Sequence, residues 1–234
     1  MTKPLPLLTL LVAVGFALSP FLSSGFNGFE AGQFPIPQDD PPVQPAGYAF
    51  SIWGLIYLWL IVGAAIGLVK HPASPDWQAM RPALILSLGS GIFWLAIAQV
   101  SVPWATALIF FMLATALAAL LRAGNDERLW LREPIGLYAG WLTAASSVSV
   151  GLMLAGYGVT GATTAALLAL ALALTITVSI HLLRPNSAAY LGGVLWALIG
   201  VIVANSAPMN TPVLTLASLG AVLTAGLTLR ALRS

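Results

Sequence analysis

Charge is confined to the gaps in this chain. Eight stretches contain no Asp, Glu, Lys or Arg, approximately 5–23, 48–69, 83–101, 104–121, 135–155, 162–183, 188–206 and 212–229. Each is long enough, or nearly so, to cross a hydrocarbon core of ~30 Å as a helix rising 1.5 Å per residue. The stretches are continuous rather than alternating and rich in Leu and Ala, which argues against membrane strands. Turn chemistry separates them: Pro72 and Pro75, Pro103, Gly124-Asn125-Asp126, Gly156 to Gly161, Pro185-Asn186, and Pro208 with Asn210 and Pro212. Only 7% of the 234 residues are charged and 59% are hydrophobic. A soluble domain carries about 25% charged residues, so lipid must solvate most of this surface. The expected fold class is all-α, a polytopic transmembrane bundle of about eight spans.

The basic residues test that count. With Lys3 on the cytoplasmic side, the same side receives Lys70, Arg81, Arg122, Arg128, Arg132, Arg184, Arg230 and Arg233. The opposite connections, 24–47, 101–103, 156–161 and 206–211, carry no Lys or Arg. One span more or fewer would scramble this segregation. The positive-inside rule therefore places both termini in the cytoplasm and the chain in a cytoplasmic membrane of bacterial type. Lys3 and the apolar run Leu5 to Leu18 have the look of a signal peptide, but Pro20, Phe21 and Leu22 prolong the run past any small-x-small site. A retained first helix is the expectation.

Several function classes fall away. A net charge of +2 with scattered basic residues offers no surface for nucleic acid. The absence of cysteine removes disulfides, thiolate nucleophiles and thiolate metal sites. No His-Glu-x-x-His, Gly-x-Ser-x-Gly or phosphate-binding glycine loop occurs, so no catalytic and no metal-ligating residue is assigned. His71 and His181 fall near helix ends and suit the interface. Ion-coupled transport usually needs a carboxylate or base within the membrane, and the eight runs hold none.

What the runs do hold is aromatic. Trp77 and Trp130 read as interface anchors in cytoplasmic loops, whereas Trp53, Trp94, Trp141 and Trp196 lie deep. Trp53 and Tyr57 share a helix face, and Tyr138, Trp141, Ala145 and Ser149 form a stripe on span 5. Such stripes fill a bundle core or line a pocket for a flat ligand. Gly63-x-x-x-Gly67 and Gly136-x-x-x-Gly140 permit close helix packing within spans 1–5, or a homodimer. The 24–47 connection, with Phe34-Pro35-Ile36-Pro37 and Pro41-Pro42, is extended in character and is either a lid or a plain linker.

Two of these segments carry a family resemblance. Pro45-Ala46-Gly47-Tyr48-Ala49-Phe50-Ser51-Ile52-Trp53-Gly54-Leu55-Ile56-Tyr57 resembles the signature entering the second helix of the translocator protein, or tryptophan-rich sensory protein (TspO/MBR), family. Pro134 with Leu137-Tyr138-Ala139-Gly140-Trp141-Leu142-Thr143-Ala144-Ala145 resembles its fifth-helix stretch. Tyr48 stands where the family usually has tryptophan, and Ser149 where asparagine is common. Spans 3 and 4 match through either Trp94 or Trp104. The resemblance covers roughly 1–156, a five-helix ligand-binding region, leaving 157–234 as a three-helix membrane extension found in longer relatives. It implies a five-helix bundle whose pocket opens toward 24–47 and takes a tetrapyrrole such as protoporphyrin or haem, or another hydrophobic ligand. Tyr48, Trp53, Tyr57, Tyr138, Trp141, Ala145 and Ser149 would line it. A sensor or carrier is the leading expectation, with a permease or exporter of a small hydrophobic compound as the alternative. A tetrapyrrole-degrading enzyme is a third reading, weakened by the lack of acid–base groups.

Overall fold

The computed structural model describes residues 4–22, 28–125 and 127–233. Lys3, Asp126 and residues 24–27 of the first long connection lie outside them. The described residues form eight α-helices: α1 (Pro4–Leu18), α2 (Ile52–Val69), α3 (Pro75–Val100), α4 (Val102–Arg122), α5 (Arg128–Gly156), α6 (Ala162–Leu183), α7 (Ala188–Ala204) and α8 (Thr211–Arg233). Seven are long and apolar enough to cross a membrane, and α7 is shorter, at 17 residues. That is about 26 Å of helix, close to the minimum for a span. The all-α membrane bundle expected from the charge pattern is the fold observed.

Two helices begin well before their apolar runs. α3 starts at Pro75 rather than near 83, and α5 at Arg128 rather than near 135. Charge marks the edge of the hydrocarbon, while the backbone hydrogen-bond ladder continues about two turns beyond it. Trp77 and Trp130 therefore sit on helices and not in loops, and Trp77 is 1% exposed. It lies beneath His71, whose ring stacks on it at 5.1 Å, and beside the Arg81 guanidinium. Arg81 itself donates to the carbonyls of Gly67 and His71 at 2.8 and 3.1 Å, neutralising the C-terminal end of α2.

α5 organises the bundle. It packs against α2, α4, α6 and α7, while α1 lies on α2 and α3, and α8 covers α6 and α7. Every residue from 131 to 144 is buried. A helix with small or apolar residues all round can be enclosed in this way, and Gly136, Ala139, Gly140, Ala144, Ser146 and Ser147 supply the small ones. Pro134 has no N–H, so the Trp130 carbonyl loses its usual helical donor. That carbonyl faces Gly63, where a Cβ would stand 2.4 Å from it. The Gly63 face is thus a helix contact between α2 and α5, as expected. The Gly136–Gly140 face is also a contact, but its partner is α7, outside the first five helices: a Cβ on Gly140 would lie 2.1 Å from the Tyr190 carbonyl.

The basic end is tied together by buried polar groups. Glu133 accepts from Arg128 Nε at 2.7 Å and, through its other oxygen, from the backbone N–H of Ala189 at 2.8 Å, in the first turn of α7. Arg128 also donates to the carbonyls of Asn186 and Ala231, and Arg132 to Asn186 and to Asn125 Oδ1. Arg184 reaches the carbonyl of Ala123. These bonds join α5 to the α4–α5 and α6–α7 turns and to the end of α8.

At the opposite end the 28–51 segment lies flat across the bundle. Gln33 Nε2 donates to Ala98 O on α3, Ile36 N to Gly156 O on α5, and Ala46 N to Gly200 O on α7. Phe34 and Val43 are buried. They fill the space left by Gly156 and Gly151 of α5. No basic residue belongs to this end among the described residues.

Candidate functional site

A cavity of about 330 Å³ lies between α1, α2, α3, α4 and α5, under the turn 47–51. Trp53 and Tyr57, one turn apart on α2, stack with ring centres 5.3 Å apart and planes 18° apart. Phe16 of α1 stands edge-on to both, at 5.8 and 5.2 Å. Gly91 of α3 makes room for it, since a Cβ there would come within 2.5 Å of the Phe16 ring. Trp94, Leu95, Ile109, Met112 and Leu142 complete the wall, and the exposed residues Gly47, Tyr48 and Ser51 mark the mouth.

A second cavity of about 40 Å³ adjoins the first. Phe50, Trp94 and Ile109 line both and form the partition between them. Trp141, Ala145, Val148 and Ser149 of α5 line the smaller one. Trp141 is 2% exposed, edge-on to Trp53 at 6.2 Å and to Phe50 at 5.8 Å. Its indole N–H is buried and has no acceptor among the described residues. The Ser149 hydroxyl is turned onto its own helix, donating to Ala145 O at 3.1 Å. No charged residue lines either cavity.

The seven residues singled out from sequence therefore divide. Tyr48, Trp53 and Tyr57 line the larger cavity, and Trp141, Ala145 and Ser149 the smaller. Tyr138 lines neither. It is fully buried behind the wall, its hydroxyl 3.0 Å from Ser87 Oγ and its ring against Phe16 and Trp53. Trp94 and Trp104 also differ in place. Trp94 is buried at the cavity with its N–H on Ala105 O at 2.9 Å, while Trp104 is 73% exposed on the outer face. Phe16, Ile109 and Met112 were not foreseen, because nothing distinguishes them in sequence from other span residues. Phe50 stood within the quoted helix-2 motif and could have been read from it.

Eight packed apolar helices with an aromatic cavity beneath a strapped loop define a polytopic α-helical membrane protein with a hydrophobic site near one face. The chain belongs to the TSPO-like protein family, whose model matches residues 7–230. The match runs through α6–α8 as well as the first five helices. No curated protein and no solved structure matches the chain.

Proposed function

We propose that this TSPO-like membrane protein binds a flat hydrophobic ligand of the tetrapyrrole class in the aromatic cavity, as a sensor or carrier and without catalysing a reaction. The observation that carries the reading is the paired aromatic face of Trp53 and Tyr57 beside a buried indole N–H on Trp141 that lacks an acceptor. Indole and phenol faces stack on a planar π-system, and an orphaned donor favours a ligand that brings an oxygen or nitrogen acceptor. A cavity of 330 Å³ is at the lower limit for small-molecule sites. A whole macrocycle would occupy both cavities, which requires Phe50, on the turn 47–51, to swing out of the partition.

The binding test uses protoporphyrin and purified full-length protein in nanodiscs. Trp53→Ala and Trp141→Ala should each weaken binding by about 1–3 kcal/mol, the range for loss of an aromatic stacking partner. Trp53→Phe should cost less, since it keeps a π-face. Trp104→Ala, on the outer face, is the control, because Trp77 and Trp130 are packed against neighbouring helices and cannot serve. Lowered melting temperature with unchanged affinity in the Trp53 and Trp141 variants would reduce both rings to core filling.

The orientation is part of the same proposal. The described Lys and Arg residues share one end of the bundle, which the positive-inside rule assigns to the cytoplasm. In the cysteine-free chain, Gln38→Cys should react with an impermeant thiol reagent in intact cells, and Ala73→Cys only after permeabilisation. The reverse pattern would invert the topology and put the cavity mouth inside the cell.

A further inference from the structure

We propose that α7 is the latch of the lid: Trp196, Gly200 and Asn205 hold the 42–49 segment closed and thereby set how fast ligand enters and leaves the cavity. The part concerning ligand rests on the binding proposal above, whereas the latch itself does not.

Three bonds of different kinds converge on this short stretch. Asn205 closes the C-terminal end of α7, and its amide has two N–H donors. One goes to its own helix at Val201 O, 2.9 Å away, and the other to Pro42 O of the lid at 2.8 Å. Trp196 donates its indole N–H to Ala49 O at 2.8 Å, and its ring stands edge-on to Tyr48 at 5.6 Å. Between these two, Ala46 N donates to Gly200 O at 3.0 Å. Gly200 permits that approach, because a Cβ there would lie 2.8 Å from Pro45 Cβ and 2.9 Å from Ala49 Cβ.

The placement of these bonds matters more than their number. The residues they hold run directly into Gly47, Tyr48, Phe50 and Ser51, which form the mouth and the partition of the cavity. The earlier part of the lid is fixed elsewhere, by Gln33 on α3 and Ile36 on α5. Release from α7 would therefore leave the 42–49 stretch held by the packing of Val43 on Gly151 of α5, without these hydrogen bonds, and leave the five-helix wall standing. Because α7 belongs to the extension, the extension acquires a function: it controls access to a cavity to which it contributes no lining residue.

The test begins without ligand. Val43→Cys places a thiol under the lid, at a position 4% exposed, in a chain that otherwise has none. An impermeant maleimide should modify it slowly in full-length protein in nanodiscs. Adding Trp196→Phe or Asn205→Ala should accelerate modification roughly threefold to tenfold, the factor expected when one net hydrogen bond no longer opposes opening. Thr215→Ala, on the exposed face of α8, should leave the rate unchanged. Protoporphyrin association and dissociation should then quicken together in the two latch variants, with affinity changed far less than either rate. Unaltered thiol labelling in both variants would overturn the latch. Faster labelling with unaltered porphyrin rates would overturn its control of the cavity. Faster labelling of the two latch variants, together with a parent protein that binds no porphyrin, would leave the latch standing and defeat the binding proposal instead. If Asn205→Ala fails to fold, Trp196→Phe still decides the matter, since it deletes the N–H while keeping a smaller aromatic ring on the Tyr48 side.

Discussion

Gly140→Leu should abolish the recovery of monodisperse protein, and Gly140→Ala should already lower its melting temperature sharply. Gly140 and Gly193 face each other where α5 crosses α7. A Cβ on Gly140 would stand 2.1 Å from the Tyr190 carbonyl, and one on Gly193 would stand 2.8 Å from Leu137 O and 2.9 Å from Trp141 N. The obstacles are backbone atoms, which cannot rotate away as a side chain could. Overpacking a tight core costs about 1–3 kcal/mol, and a contact that moves two helices apart belongs at or above the top of that range. Gly192 is the internal control. It neighbours Gly193 on α7 but faces open space, so Gly192→Ala should be tolerated and even stabilise by about 0.5–1 kcal/mol through the better helix propensity of alanine. Equal behaviour of the two substitutions in a detergent melt would show that the crossing is not close-packed.

Glu133→Ala should be the most damaging change at the basic end. The carboxylate is buried, meets Arg128 at 2.7 Å and Arg132 at 3.6 Å, and accepts the Ala189 N–H at the start of α7. Removing one member of a buried ion pair costs about 3–5 kcal/mol, because the partner charge is left without compensation. The Arg128 side chain is 33% exposed, and water recovers part of that loss, so the lower half of the range is expected. Glu133→Gln should fall between parent and Ala, as it keeps an acceptor for Ala189 while losing the charge. Thermal melts of the three proteins at one salt concentration provide the comparison. Equal stability of Ala and parent would mean that the guanidinium groups are satisfied by backbone carbonyls alone.

The spans were legible in the sequence because one physical quantity, the cost of a charge in hydrocarbon, fixes where each of them can run. Helix ends were less so. Asp76, Arg81, Arg128 and Arg132 lie outside the apolar runs but within the helices, which moved Trp77 and Trp130 from supposed loops into packed helices. The candidate site shows the same division. Trp53 and Tyr57 were correctly paired, since i, i+4 spacing on a helix dictates a shared face. Tyr138 stands behind the cavity wall rather than in it, for an instructive reason. Sharing a stripe with Trp141 locates a pocket only on a helix with one buried face, and α5 is buried on all sides, so its stripe has no single outlook. The attachment of the lid to α7 left no trace in the pattern, because it depends on the backbone carbonyls of Pro42 and Ala49, which every residue type would offer.

The enclosure of α5 bears on how the molecule is made. Synthesis delivers α5 to the membrane before α6, α7 and α8 exist, with Gly136, Gly140, Thr143 and Ser147 on flanks that later helices will cover. Until then this strip of small and hydroxylated residues faces lipid or the insertion machinery, where it is a poor match for acyl chains and attractive to another helix. The arrival of α7 ends that interval, and it also brings Trp196 and Asn205 to the strap at the opposite end. On the latch proposed above, a nascent chain halted after α5 would carry the whole cavity wall and the strap, but none of the bonds from α7 that hold 42–49 down.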